Sequence, residues 1–167
     1  MLTYLIDDDP VSLFLTEQIL RLGGLACPIV SFGTAEEALA YLLLRLPAEP
    51  PELIFLDLNM PMMNGWMFLM ALAPHAQHLQ GRCRIYLLTS SLALADTDQA
   101  CDNPLVAGII HKPLNEEEVQ AILTESATEV KLIESRTTAE TKKNPMQAVY
   151  GNTDTAFWVE LFPDNEG

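Results

Sequence analysis

Several short apolar segments of the sequence end in side chains that suit cation or phosphate chemistry. Asp7 and Asp8 follow the first such segment, Asp57 the third, Thr89 the fourth and Lys112 the fifth. Carboxylates about 4 Å apart repel each other by ~1 kcal/mol in water and by ~4 kcal/mol at an effective dielectric constant of 20, so a cluster of them needs a cation. Oxygen ligands without His or Cys favour Mg²⁺ or another hard divalent cation. A carboxylate beside such a cation, a lysine and a hydroxyl is suited to accept a phosphoryl group.

These side chains must be positioned by the apolar segments that precede them. The segments are mainly apolar and do not alternate with polar residues, which is typical of strands covered on both faces. They cover residues 2–6, 29–32, 53–56, 85–88 and 107–110. Helical patterns separate them, so the sequence predicts an α/β fold with three layers: a doubly wound, five-stranded parallel sheet between helices. The carboxyl ends of parallel strands share one edge, where ligands bind. We therefore expect the five polar side chains to meet there.

Capping signals predict where the helices begin. Asp9 before Pro10 predicts one start, and Thr34 with Glu37 forms a capping box that predicts another. Apolar residues at helical spacing predict the buried face of the first helix: Val11, Phe14, Leu15, Ile19 and Leu22. A weaker helix is predicted near residues 96–101.

The end of the sequence differs from the rest in composition. Asn115 and Glu118 predict the cap of a last helix, and we place the domain boundary after it, giving a domain of residues 1–134. A linker and tail of unknown structure, residues 135–167, follow. The tail contains the apolar segment 156–162, which we expect to dock on a sheet edge or against another subunit.

Composition excludes several classes of function. The 167 residues include 9 Lys and Arg and 23 Asp and Glu, a net charge of −14, which disfavours binding to nucleic acid or anionic lipid. No apolar segment approaches the roughly 18 residues of a membrane span, and the first residues do not form a signal peptide. The cysteines Cys27, Cys83 and Cys101 form no CxxC motif, so reduced thiols are expected. We therefore expect a cytoplasmic protein.

Four motifs give the sequence a family resemblance. They are the acidic pair Asp7–Asp8, the segment 53–65 (LIFLDLNMPMMNG), the segment 89–91 (TSS) and the segment 111–114 (HKPL). Through them, residues 1–134 resemble the receiver domain of bacterial two-component response regulators, in particular stand-alone receivers of the chemotaxis-regulator type. The resemblance implies a flavodoxin-like fold with strand order 2-1-3-4-5.

The resemblance also implies a metal site. It makes Asp57 the phosphorylated residue, and it makes Asp7, Asp8 and Asp57 ligands of Mg²⁺, either directly or through water. The main-chain carbonyl of Asn59 would complete the protein ligands.

Further roles follow from the same resemblance. Thr89 would bond a phosphoryl oxygen, Lys112 would pair with Asp57 or its phosphate, and the Lys112–Pro113 bond would be cis. The family often has an aromatic switch residue three positions before the lysine. Ile109 occupies that position here, so an aromatic switch is not expected.

The implied function is a switch that takes a phosphoryl group from the phosphohistidine of a sensor kinase or phosphotransfer protein. It would act by binding an unidentified output protein, with dimerisation through the fourth predicted helix and fifth strand or through the tail. It would not be an enzyme beyond its own phosphorylation and dephosphorylation.

Two alternatives to this function stay open. One is an interaction module that works without phosphorylation. The other is a Mg²⁺-dependent phosphohydrolase, disfavoured because Asn59 stands where such enzymes carry a second acid.

Overall fold

The computed structural model describes residues 2–90, 100 and 103–124, all within one structural unit, Met1–Ala127. Five strands form its centre: β1 (Thr3–Ile6), β2 (Ile29–Phe32), β3 (Leu53–Asp57), β4 (Arg84–Thr89) and β5 (Val106–His111). They form one parallel sheet in the order β2-β1-β3-β4-β5. The predicted α/β fold and strand order are confirmed. The predicted boundary at residue 134, the tail and nearly all of the helix predicted at 96–101 lie outside the described residues.

Helices cover both faces of this sheet. Within residues 2–90 and 103–124 they are α1 (Pro10–Leu22), α2 (Ala35–Arg45), α3 (Gly65–Leu72), α4 (Ala76–Leu79), which follows the 3₁₀ turn Ala73–His75, and α5 (residues 116–124). Alternate strand residues face opposite layers, so Tyr4 and Ile6 pack with α2 and α3 whereas Leu5 packs with α1 and α5. No helix in the described part of the chain is long and apolar enough to cross a membrane.

The predicted caps are confirmed. The Asp9 carboxylate accepts a hydrogen bond from the Val11 N–H at 2.9 Å, and the Thr34 hydroxyl accepts one from the Glu37 N–H at 3.2 Å. Residues 115 and 118 form a reciprocal capping box, with both bonds at 3.0 Å. These bonds satisfy backbone donors at the helix starts and fix where α1, α2 and α5 begin.

The predicted buried face of α1 is wrong for four of its five residues, whereas Ile19 is partly buried and packs against the core. Four of its apolar residues are 56–65% exposed: Val11, Phe14, Leu15 and Leu22. The buried face instead carries Thr16 and Leu20. The helix is apolar on two sides, so periodicity alone cannot choose between them. Tertiary packing makes the choice, because α5 lies against the end of α1 so closely that a Cβ on Gly23 would be 2.5 Å from the Val119 Cβ.

Candidate functional site

The carboxyl edge of the sheet brings the predicted polar side chains together. Asp7 follows β1, Asp57 and Thr89 end β3 and β4, and Lys112 follows β5. The registers are regular at this edge, where Asp57 pairs with Leu88. Asp7, Asp57 and Thr89 are buried, each with at most 4% of its surface exposed. Buried polar groups of this kind need partners, and the two carboxylates find them within the site.

Lys112 bridges the two buried carboxylates. Its Nζ atom lies 2.6 Å from Oδ2 of Asp7 and 2.6 Å from Oδ1 of Asp57. The backbone positions this lysine, because its N–H donates to the Thr89 carbonyl at 2.8 Å. The Lys112–Pro113 bond is cis, as expected, and so is Leu46–Pro47. The lysine supplies the positive charge that lets both acids lie inside the protein.

Asp7 has two further donors besides the lysine. Its Oδ1 atom accepts the Asp9 N–H at 3.0 Å, and its Oδ2 atom accepts the Ser12 hydroxyl at 2.6 Å. Ser12 lies in the first turn of α1, and sequence reasoning missed it. The available signal was a small hydroxyl residue among apolar neighbours, five residues after Asp7. The carboxylate is therefore held in one orientation by β1, α1 and the segment after β5.

Asp57 is held just as firmly. Its Oδ2 atom accepts the Asn59 N–H at 2.9 Å while Oδ1 takes the lysine. Burial raises the pKa of Asp57 above 3.8, outweighing the opposing effect of Lys112. Burial alone would lower the pKa of Lys112, but its bonds to Asp57 and Asp7 outweigh burial and raise that pKa. Lys112 is therefore charged at neutral pH.

The acidic cluster fits a divalent cation. Carboxylate oxygens of Asp7, Asp8 and Asp57 lie within 4.8 Å of one another. Three carboxylates against one ammonium leave two negative charges uncompensated. An all-oxygen donor set with this charge suits Mg²⁺. Asp8 is exposed, so the cluster opens to solvent on one side. The carbonyl of Asn59 as a ligand and the role of Thr89 stay predictions.

The position of the family's aromatic switch is occupied by a partly buried aliphatic residue. Ile109 lies on β5 and packs against the core cluster that α2 and α3 cover. Ile109 stands three residues before Lys112, where the family often has an aromatic side chain, and it contributes apolar packing there.

The sheet order and the acidic site at its carboxyl edge define a flavodoxin-like α/β domain. The sequence model of the family described as "Response regulator receiver domain" matches residues 3–124 of this chain. The chain therefore belongs to this family. No curated protein matches the chain.

Solved structures of response regulators share the fold. A two-component response regulator from Cytophaga hutchinsonii is 28% identical with a TM-score of 0.71, over 76% of this chain and 96% of that one. A receiver protein from Dyadobacter fermentans DSM 18053 is 27% identical with a TM-score of 0.66, over 75% and 97%. A two-component response regulator from Legionella pneumophila is 25% identical with a TM-score of 0.63, also over 75% and 97%.

Proposed function

We propose that Asp57 accepts a phosphoryl group from the phosphohistidine of a histidine kinase or phosphotransfer protein, with Mg²⁺. The phosphorylated protein then signals by binding another protein. The observation that carries this proposal is the buried Asp57 carboxylate, 2.6 Å from Lys112 and clustered with Asp7 and Asp8. In this proposal Asp57 is the nucleophile, Lys112 supplies the counter-charge, and Asp7 and Asp8 supply oxygen ligands, which are the groups that phosphoryl transfer needs.

The transfer balances as a single substitution at phosphorus. A bond forms from a carboxylate oxygen of Asp57 to phosphorus as the phosphorus–nitrogen bond to the donor imidazole breaks. The imidazole nitrogen leaves with the electron pair and takes a proton from solvent. Lys112 neutralises charge on the phosphoryl oxygens, and Thr89 donates to one of them. Protein groups fixed before the reaction need no rearrangement during it, which lowers the barrier.

Asp7, Asp8, Asp57 and the carbonyl of Asn59 would hold the cation. When bound, Mg²⁺ neutralises charge on the transferring phosphoryl group. The chain's own contribution is to fix the Asp7 carboxylate through Ser12 and to leave Asp8 exposed toward solvent.

We also propose a cytoplasmic location, where such donors act, and dimerisation through β5 with the predicted helix at 96–101 or through the tail. The net charge of −14 argues against nucleic acid as a partner.

Phosphorylation is tested directly by mass. Incubation of the full chain with acetyl phosphate and Mg²⁺ should add one phosphoryl group, seen by intact mass spectrometry. Asp57→Asn should abolish the addition because its amide is a far weaker nucleophile. Glu36→Gln, which removes an exposed acid from the first turn of α2, serves as the control and should label like the parent. Labelling that persists in Asp57→Asn contradicts the proposed site.

The metal site is tested separately. Trp66 lies in the first turn of α3, close in sequence to the site, so its fluorescence should report Mg²⁺ binding. Replacing Asp7 and Asp8 together with Asn should weaken Mg²⁺ binding at least about tenfold, because both lost charges face the cation. An unchanged Mg²⁺ titration in the double variant would show that these acids do not hold the metal.

A further inference from the structure

Ser12 shares one oxygen atom of Asp7 with Lys112. Its hydroxyl and the lysine ammonium both donate to Oδ2, each at 2.6 Å. The same ammonium lies 2.6 Å from Oδ1 of Asp57. Ser12 lies on α1, Asp7 follows β1 and Lys112 follows β5. The Ser12 hydroxyl thus competes with the lysine for Asp7.

This competition has a direct electrostatic consequence. Two donors that share one carboxylate oxygen compete for its negative charge, so the hydroxyl weakens the bond between Lys112 and that oxygen. Asp7 then attracts Lys112 less strongly, and the ammonium stays shared with Asp57. Without the hydroxyl, Lys112 would pair more closely with Asp7. Asp57 would then lose its counter-charge, and Asp7 would be less available to a cation.

We propose that Ser12 is a positioning residue that sets how Lys112 is shared between Asp7 and Asp57. Its predicted effect on phosphoryl transfer rests on the proposed function, whereas its effect on the lysine does not. The residue acts through Asp7 and Lys112 and does not touch the phosphoryl group itself. The two effects can be measured in separate experiments.

The first experiment uses the metal-free full chain. Scalar couplings across hydrogen bonds, measured by NMR from Lys112 Nζ to each carboxylate carbon, report how the ammonium is shared. The parent should show couplings to both Asp7 and Asp57. In Ser12→Ala the coupling to Asp57 should fall at least twofold relative to the coupling to Asp7. Ser12→Thr, which keeps a hydroxyl, should restore the parental ratio.

The second experiment measures transfer. The rate constant of labelling by acetyl phosphate at saturating Mg²⁺ should fall about tenfold in Ser12→Ala, the effect of one charge-assisted hydrogen bond. The concentration of acetyl phosphate at half-saturation should not change, because Ser12 does not contact the donor. Ser12→Thr should recover the rate to within about twofold. Thr16→Ala is the control, since Thr16 is buried one turn along the same helix.

Three results would overturn the inference. One is a parental coupling ratio and labelling rate in Ser12→Ala with only the unfolding free energy reduced, because a purely structural hydroxyl behaves that way. Another is an equal loss of rate in Thr16→Ala, which would trace the effect to a general disturbance of α1. If Ser12→Ala does not fold, Ser12→Cys replaces it, since a thiol is somewhat larger than a hydroxyl, fills the space and donates only weakly. A parental coupling ratio in Ser12→Cys is the third result that overturns the inference.

Failure of the proposed function gives a different result. If the parent chain is not labelled, the proposed function is contradicted, while the coupling experiment still decides the role of Ser12.

Discussion

Gly65 packs against the backbone of Asp57 so closely that a Cβ on Gly65 would lie 2.8 Å from the Asp57 carbonyl oxygen. The N–H of Gly65 donates to the Leu58 carbonyl at 3.2 Å, and the Asn64 side chain caps the helix that begins there. The start of α3 therefore rests on the end of β3. This contact fixes the backbone that presents the Asp57 carboxylate.

Gly65→Ala should both destabilise the protein and impair the site. The added methyl would meet backbone atoms of Asp57 and Leu58, which cannot rotate away, so we expect a loss of about 1–3 kcal/mol in unfolding free energy. Labelling of Asp57 should slow as well. Denaturant unfolding and intact mass measure the two effects. Gly33→Ala is the matched control, because nothing lies within 4 Å of a Cβ there. Equal losses in both variants would contradict the close contact.

Asp57→Asn should stabilise the folded protein at neutral pH. Burial raises the folded-state pKa of Asp57, so its ionised form destabilises the fold above that pKa, and this cost disappears below the ordinary value of 3.8. The variant should therefore unfold at a higher denaturant concentration than the parent at pH 7. The gain should shrink as the pH falls through the folded-state pKa toward 3.8. Denaturant unfolding at several pH values tests this, and a gain that grows on acidification would contradict the sign.

Lys112→Met should destabilise the protein more than the loss of a surface charge would. It leaves two buried carboxylates without their shared cation, and since the lysine is 19% exposed we expect a loss of about 2–3 kcal/mol at pH 7. The loss should diminish at acid pH as the carboxylates protonate. Glu49→Gln, which breaks an exposed pair with Arg45 at 3.2 Å, should cost less than about 1 kcal/mol. Comparable losses in the two variants would show that the contact of Lys112 with Asp7 and Asp57 stabilises the protein no more than an exposed ion pair does.

Met62→Gly should stabilise the protein. Met62 has a φ of 64° and a side chain that is 89% exposed, so its backbone is strained while its side chain adds little packing. Relief of the left-handed conformation gains about 1–2 kcal/mol, and the greater freedom of unfolded glycine offsets about 0.5–1 of it. Met62→Ala keeps the strain and should show no gain. Thermal unfolding distinguishes the two variants, and equal melting temperatures would refute the argument.

Removal of residues 135–167 should leave phosphorylation intact, because none of the predicted site residues lies there. The truncated chain should label at the parental rate to within about twofold. Loss of labelling would contradict the predicted boundary after residue 134. Hydrogen exchange in the full chain tests whether the apolar segment 156–162 docks. Exchange there at the rate of a free peptide would contradict docking.

The sequence by itself determined the fold class and which side chains reach the site edge. Apolar strands alternating with capped helices specify a parallel sheet, and parallel strands must end at a common edge. Any polar residue that directly follows such a strand therefore arrives there, whatever the details of packing. That is why Asp7, Asp57 and Lys112 could be grouped although up to 105 positions separate them.

Only the tertiary structure decided which face of α1 is buried and which partners each carboxylate takes. The exposed Phe14 and the buried Thr16 reverse the hydrophobic expectation, because packing against β1 and α5 fixes the rotation of the helix. That same rotation directs Ser12 to Asp7. A local pattern specifies the period of a helix, but its rotation depends on contacts between distant segments, and those contacts arise only when the sheet and its covering helices assemble.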